Sequence, residues 1–486
     1  MEVWGTRECS VSVDYDLVVV GGGAGGISAA RAGVRRGAKT LLVHHGPIGG
    51  DCTFTGCVPS KALIEAAARG VSFEEAVESS RRAVDAIAAT ETPDVFRREG
   101  VEVMSGWARF RSRRRLDVDG RAVDARRVIV ATGAGPAVPP IDGLAEIAYL
   151  TSDTVFELTS PPHSLAVLGG GAIGCELAQA FGRLGVQVTL IEALPRLIAR
   201  EEPEASAAIE DALRADSVDV RTGAAVTRVE RLEGEDGACL HLADGATALA
   251  EKVLVAVGRS ADTTGLDLEA AGVETDARGF IRTDDHLATT ARGIWAVGDI
   301  AGKSQFTHAA EQMGRIATAN ALTHYHRRRF RSELIPAVTY TSPEVGRVGM
   351  TEAEAAEHGG RVAYLPMTEF DRAVVAGETR GFVKLIAAPR PMLRNLAGGR
   401  IIGATAVAPR GGEMIHEAVL AMSTKMFPVR LALSAHAYPT WSVAMQQAAA
   451  QLFTEIGGRR AHPAGSEAGL AGLPRGDVDG VARTGA

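Results

Sequence analysis

No apolar run in this chain approaches the roughly 20 residues that a membrane-spanning helix needs. Nor does it begin with the basic, apolar and small-residue succession of a signal peptide. Both absences predict a protein without a membrane partner, working in the cytoplasm. Cysteine is scarce, with five in 486 residues, which argues against a disulfide-scaffolded secreted fold and suits a reducing compartment. A strong charge of one sign is also missing. The net charge is −7, and the basic clusters at 111–115 and 327–331 are short, so nucleic acid is not an expected partner. At this length the chain has room for several domains, each with its own core.

Two of the few cysteines stand together in Cys52-Thr-Phe-Thr-Gly-Cys57-Val-Pro-Ser-Lys61, one residue after Gly49-Gly50. A bridge across so short a loop would staple almost nothing, so a redox role fits the pair better than a structural one. Cys57 precedes the helix-forming run Ala62-Leu-Ile-Glu-Ala-Ala-Ala68. A helix start favours a thiolate through its unpaired N–H groups and its dipole. The alternative is a coincidental pair of buried thiols; what surrounds the pair weighs against it.

Upstream, Asp16-Leu-Val-Val-Val20 reads as a buried strand and Ile27-Ser-Ala-Ala-Arg-Ala32 as a helix, with Gly21, Gly23 and Gly26 between them in the pattern G-x-G-x-x-G. Glycines so placed let backbone approach a pyrophosphate at the helix N-terminus. Leu165-Ala-Val-Leu168 is a second such strand, followed by Gly169, Gly171 and Gly174 in the same pattern. A helix then carries Leu177, Phe181 and Leu184 at helical spacing. The strand after it, residues 186–191, ends at Glu192, about where a dinucleotide site needs an acid for a ribose 2′-hydroxyl. Two dinucleotide loops flanking a vicinal redox pair form a specific combination.

With these residues the chain resembles the flavin-dependent pyridine nucleotide–disulfide oxidoreductases, the family of dihydrolipoamide dehydrogenase, glutathione reductase and mercuric reductase. The likeness runs from about residue 15 to residue 453. Further carriers are Ala131-Thr132-Gly133, Val257-Gly258-Arg259, Gly293-Ile-Trp-Ala-Val-Gly-Asp299, Thr307-His308-Ala-Ala310 and Tyr340-Thr-Ser-Pro-Glu-Val345. Residues 379–385 and 402–409 look most like the mercuric reductase branch. The resemblance implies an α/β fold with two Rossmann-like dinucleotide-binding domains and a C-terminal α+β dimerisation domain. It also implies FAD, a nicotinamide nucleotide, a small-molecule electron acceptor and a homodimer.

It further implies roles for single residues. Reduced nicotinamide passes hydride to the flavin, which reduces Cys52–Cys57, with Cys57 the flavin-side sulfur and Cys52 the substrate-side one. Lys61 lies near the flavin N5, paired with Glu176. Asp299 holds the ribityl chain, or is an ordinary turn acid after Gly298. Gly50, Thr132, Gly133, Gly258, Thr307 and His308 join the glycine loops as cofactor contacts. Glu192 favours NADH over NADPH, although Arg196 and Arg200 lie near enough to pair with a 2′-phosphate.

The expected segments are an extension at 1–14, an FAD-binding segment at 15–157, a nicotinamide segment at 158–285 and a return to the FAD domain at 286–335. A dimerisation domain follows at 336–456, and the Gly-, Ala-, Pro- and Arg-rich composition of 457–486 predicts disorder.

Two departures stand out. Disulfide reductases of the family end in His-Pro-Thr-x-x-Glu, whose histidine protonates the departing thiolate. Here the stretch is His436-Ala-Tyr438-Pro-Thr-Trp-Ser-Val443. Tyrosine, with an ordinary pKa near 10, is a poor proton shuttle at neutral pH, which leaves Tyr438 or His436 as the candidate in this region. The vicinal cysteine pair of mercuric reductase is missing as well, for no cysteine follows Cys239. The acceptor is then expected to be a metal ion or an activated disulfide, or alternatively a quinone, dioxygen or a second nicotinamide with the dithiol secondary. The other departure is at the FAD ribose, where the strand ending at Val43 meets His44-His45 instead of an acid. A neutral imidazole can accept from a ribose hydroxyl; either histidine can equally be a plain loop residue. No third ligand is close in sequence, so no metal is expected there.

Overall fold

The computed structural model describes residues 13–466 apart from 233–236, 262, 264 and 324–327. Cys9, most of the N-terminal extension and all but the first ten residues of the glycine-rich tail lie outside the described residues. The chain forms two compact units.

Unit 1 comprises the described residues of 1–139, 150–161 and 257–332. Its centre is a parallel sheet in the order Ile294–Ala296, Val128–Val130, Leu17–Val20, Thr40–His44 and Glu102–Ser105. The central strands are buried on both faces, which is why they read as unbroken apolar runs instead of alternating ones. The helices Ala24–Val34 and Thr307–Leu322 belong to this unit. Cys57–Ala68 does too, and starts at Cys57 as the sequence predicts.

Unit 2 comprises 140–149, 162–256 and the described residues from 333 onward. It holds a second parallel arrangement, Asp219–Arg221, Gln187–Ile191, Ser164–Leu168 and Lys252–Val255, with the helix Ala172–Arg183 after the second glycine loop. It also holds an antiparallel sheet in the order Ala337–Thr339, Glu344–Gly349, Arg400–Ala408, Phe382–Ala388, Arg361–Pro366 and His462–Pro463. Val383, Leu385, Ala404 and Ala406 of that sheet share a core with Ala444, Met445 and Ala448 of the helix Val443–Gln451.

Residues 257–285, assigned by the sequence to the nicotinamide segment, pack with unit 1. The short strand Arg259–Ser260 pairs with Gly135–Pro136, and Leu266, Leu268 and Val273 enter the unit 1 core beside Phe110 and Leu116. Residues 140–149 go the other way: Leu144 joins the core of unit 2, and Asp142 accepts from the Val229 N–H at 2.8 Å. Neither exchange follows from composition, because both are set by long-range pairing.

Candidate active site

The redox pair is built onto the first glycine loop. The Gly49 N–H donates to the Gly22 carbonyl at 2.9 Å, and Gly50 lies so close to Gly23 that a Cβ on it would come within 2.9 Å of the Gly23 Cα. From there the short helix Gly50–Phe54 carries Cys52. The chain then doubles back at Gly56, where a Cβ would meet the Asp51 carbonyl at 2.8 Å, and enters the helix Cys57–Ala68. This fold-back brings the two sulfurs together. The two side chains are hydrogen-bonded to one another.

Cys57 opens one helix, and its sulfur lies 3.4 Å from the Thr307 hydroxyl, which opens another, Thr307–Leu322. Two helix starts and a hydroxyl therefore face the same sulfur, an arrangement that favours negative charge there. The pKa of the Cys52 thiol is raised. Its hydrogen bond with Cys57 raises it most and burial raises it further, although the Thr307 hydroxyl works against the rise, so in the reduced pair Cys52 keeps its proton. Lys61 follows Cys57 by four residues on the same helix and so shares its face.

A charged cluster adjoins the pair, and two of its members, Arg259 and Asp51, are missing from the sequence-based site. Arg259 donates to the Asp51 carboxylate and to the Ala134 carbonyl, and its Nε lies 3.0 Å from Asp299 Oδ2. Burial pulls the Arg259 pKa down, but Asp299 and Asp51 outweigh it and the net shift is upward. Asp299 is shifted up by burial, a shift that Arg259 limits. Asp51 immediately precedes Cys52, so this arginine ties the start of the redox helix to the turn that follows Ile294–Ala296. Only the Val257-Gly-Arg259 motif could have signalled it.

The two glycine loops share one geometry. At Gly26 and Gly174 the glycine is needed by the protein itself, because a Cβ would sit 1.9 Å from the Gly21 or Gly169 carbonyl. Gly23 and Gly171 differ: a Cβ on either would meet nothing within 4 Å. Both precede a helix start, at Ala24 and Ala172. Open space that a side chain would fill, at a helix N-terminus, is the cradle a pyrophosphate needs. The residues fit a dinucleotide at both loops. Thr132 and Gly133 follow the strand Val128–Val130, and Gly258 immediately precedes Arg259. The exposed His308 stacks on Phe306 at a centroid distance of 5.4 Å.

In unit 2, Glu176 is buried and accepts from the Tyr340 N–H at 2.8 Å. Glu192 accepts from the Gly170 N–H at 2.6 Å and the Leu194 N–H at 2.7 Å. The guanidinium of Arg196 donates to the Glu201 and Ala199 carbonyls and to Ser206.

Neither acid–base candidate near the C-terminus has an idle polar atom. His436 has Nε2 at 2.9 Å from Glu417 and Nδ1 at 2.9 Å from the Ser434 carbonyl. Burial lowers its pKa, but these two acceptors outweigh burial and raise it overall. The Tyr438 hydroxyl donates to Asp371 at 2.9 Å, a bond that raises its pKa further above the ordinary tyrosine value. Glu417 and Asp371 are distant in sequence, and no motif announced them. Among the described residues no group of three or more metal-ligating side chains forms a metal site, and no helix is long and apolar enough to cross a membrane.

Residues 15–314 match the family model for pyridine nucleotide-disulphide oxidoreductases, and residues 335–449 match the model of that family's dimerisation domain. A mercuric reductase of Streptomyces lividans is 37% identical over 467 residues, covering 90% of this chain and 96% of that protein. A dihydrolipoyl dehydrogenase of Thermus scotoductus is 34% identical over 460 residues, covering 90% and 97%. Among solved structures, the Cu(II) complex of the HOCl-induced flavoprotein disulfide reductase RclA from Escherichia coli aligns with a TM-score of 0.81 at 28% identity, over 90% of this chain and 99% of that one. LpdA from Mycobacterium tuberculosis aligns with a TM-score of 0.81 at 26% identity, over 90% and 100%. Members of this family bind FAD and NAD(P)H. With its two cradled loops and the dithiol docked on the first of them, this chain belongs to the pyridine nucleotide–disulfide oxidoreductases.

Proposed function

We propose that the protein takes electrons from NADH and delivers them through Cys52 and Cys57 to a thiophilic metal ion or an activated disulfide. The observation that carries this reading is the dithiol on the first glycine loop, with Cys57 at one helix start and 3.4 Å from the Thr307 hydroxyl at another. FAD, bound at the first loop, supplies the chemistry that turns a hydride from the nicotinamide at the second loop into a pair of electrons for the disulfide. The chain's own residues do the rest. Cys52 is the sulfur that meets the acceptor, and closing the Cys52–Cys57 bond passes two electrons to it, while the one proton held on Cys52 goes to solvent when the acceptor is a metal ion or to a departing thiolate when it is a disulfide. Thr307 stabilises charge on Cys57, while Asp299, anchored by Arg259, orients the ribityl chain. Lys61, one helical turn on from Cys57, acts beside the flavin ring.

Two thiols form a soft ligand pair that suits Hg(II) or copper. The relatives named as mercuric reductases and the copper complex of RclA point the same way. We infer also that segment 335–449 pairs two copies of the chain. It carries the exposed apolar residues Leu420, Leu433 and Tyr438, and in the dimer Tyr438 faces the Cys52 of the second copy. NADH is the favoured donor, because Glu192 repels a 2′-phosphate and Arg196 is engaged by backbone carbonyls.

A steady-state screen of acceptors with NADH tests this reading. Hg(II) or Cu(II) reduction should depend on both cysteines, and glutathione disulfide or lipoamide should turn over slowly for lack of an available acid. Replacing Tyr438 by His and Val443 by Glu should then raise small-disulfide turnover, since general acid help is worth about 10²–10⁴-fold. Quinone or dioxygen reduction that survives Cys52→Ser, with no metal reduction, would favour the route in which the dithiol is secondary.

A further inference from the structure

The two glycine loops repeat one another closely, and at one position the repeat reverses polarity. His44 follows Gly26 by the same 18 residues that separate Glu192 from Gly174. His44 is the last residue of the strand Thr40–His44, and Glu192 directly follows the strand Gln187–Ile191. Each lies against the second glycine of its loop. A Cβ on Gly22 would come within 3.1 Å of the His44 Cβ, and one on Gly170 within 2.9 Å of the Glu192 Cβ. The two residues therefore occupy matching places, each at the rim of its own cradle.

Their surroundings differ in sign. Glu192 accepts an N–H from the residue two positions on, Leu194. His44 has its Nδ1 2.7 Å from the carbonyl of the residue two positions on, Gly46. A carbonyl only accepts, so Nδ1 carries the proton and Nε2 of the neutral ring is left as an acceptor. The ring is buried, with 7% of the residue exposed, so its orientation is held by packing as well as by the bond. His45 is set apart: it is exposed and stacks on the exposed Trp107 at a centroid distance of 3.8 Å.

We propose that His44 Nε2 accepts the hydrogen bond of an adenosine ribose hydroxyl from the dinucleotide at the first loop, a neutral acceptor where the second loop presents a carboxylate. This rests on the reading that the first loop holds FAD. The first loop thereby gives up charge assistance at the ribose, and its hold on FAD rests more heavily on the pyrophosphate cradle and the residues around Cys57.

The test is a titration of flavin-free protein with FAD and with FMN, which lacks the adenosine, followed by flavin fluorescence. His44→Leu removes the acceptor and should weaken FAD binding about tenfold, near the upper end for one neutral hydrogen bond. His44→Gln supplies another neutral acceptor and should stay within about twofold of wild type. FMN binding should be the same in all three. In wild-type protein, the ¹⁵N spectrum of His44 should show Nδ1 protonated, with the Nε2 resonance moving when FAD is added. Unchanged FAD affinity in His44→Leu, or a proton on Nε2 of the neutral ring, overturns the proposal while leaving the first loop as the flavin site. Wild-type protein that binds no FAD at all overturns that reading too.

Discussion

The first glycine loop and the second are built alike and equipped differently. Both follow a buried apolar parallel strand, both need glycine where the helix crosses its own loop, and both leave a side chain's worth of open space before a helix start. The difference lies in what the next segments add. The first loop receives a redox helix through the Gly22–Gly49 bond, a charged cluster of Arg259, Asp51 and Asp299, and a histidine at the rim. The second receives an acid at the rim, its two oxygens anchored to backbone N–H groups. Backbone geometry alone thus specifies that a dinucleotide can bind, and the appended side chains decide what a bound dinucleotide does. A loop with a dithiol beside it can pass electrons onward, whereas a loop with only a ribose acid can recognise and release.

The sharpest way to break this comparison is Cys52→Ser. Thiol-dependent turnover should fall to background while NADH binding at the second loop is kept, as read by quenching of protein fluorescence. Loss of both would mean that the two loops are not separable. Next in size are Gly26→Ala and Gly174→Ala, whose Cβ atoms would collide with carbonyls in the same way. The first should weaken FAD binding, the second NADH binding, each by between about tenfold and a hundredfold, the scale of overpacking a tight contact. Equal effects on both nucleotides from either variant would contradict the assignment. Glu192→Gln should shift the kcat/KM preference toward NADPH by about tenfold, the worth of one bond to a charged group. An unchanged preference would remove Glu192 from recognition.

The smallest effect is expected outside both loops, at the His436–Glu417 pair. Its histidine pKa is raised on folding, so the stabilisation is fully present below the ordinary histidine value near 6.5 and is lost as the pH rises through the higher folded value. The Tm difference between wild type and His436→Gln should accordingly be larger at pH 6 than at pH 9, on the order of 1–2 °C. A difference that grows with pH would reverse the sign and contradict the pairing.

Local features of this fold were legible from the sequence. Apolar runs such as Leu17–Val20 announce strands buried on both faces, and a helix start at Cys57 follows from the run after it. What escaped reading is what only tertiary contact decides. Arg259 meets Asp51 across more than 200 residues of chain. Of the two adjacent histidines, His44 stands at the spacing that Glu192 has in the second loop, but its burial and the exposure of His45 are decided only by the fold. The partners of His436, Glu417 and the Ser434 carbonyl, are likewise announced by no motif. Lys384 reads as one polar residue in the strand Phe382–Ala388, yet it is buried among Glu202, Glu204 and Glu352. Motifs therefore place the chemistry, while long-range ion pairs, invisible to periodicity, hold it in register.

The claim that the dithiol belongs to the first loop and its dinucleotide is tested most directly by anaerobic titration of the FAD-loaded protein with NADH, followed by visible absorbance. Wild-type protein should develop a long-wavelength charge-transfer band after two electrons, because Cys57 presents a thiolate at the flavin while Cys52 keeps its proton. Cys57→Ser should bind FAD as before and show no such band. A band that persists unchanged in Cys57→Ser, or one lost in Cys52→Ser and kept in Cys57→Ser, would contradict the account.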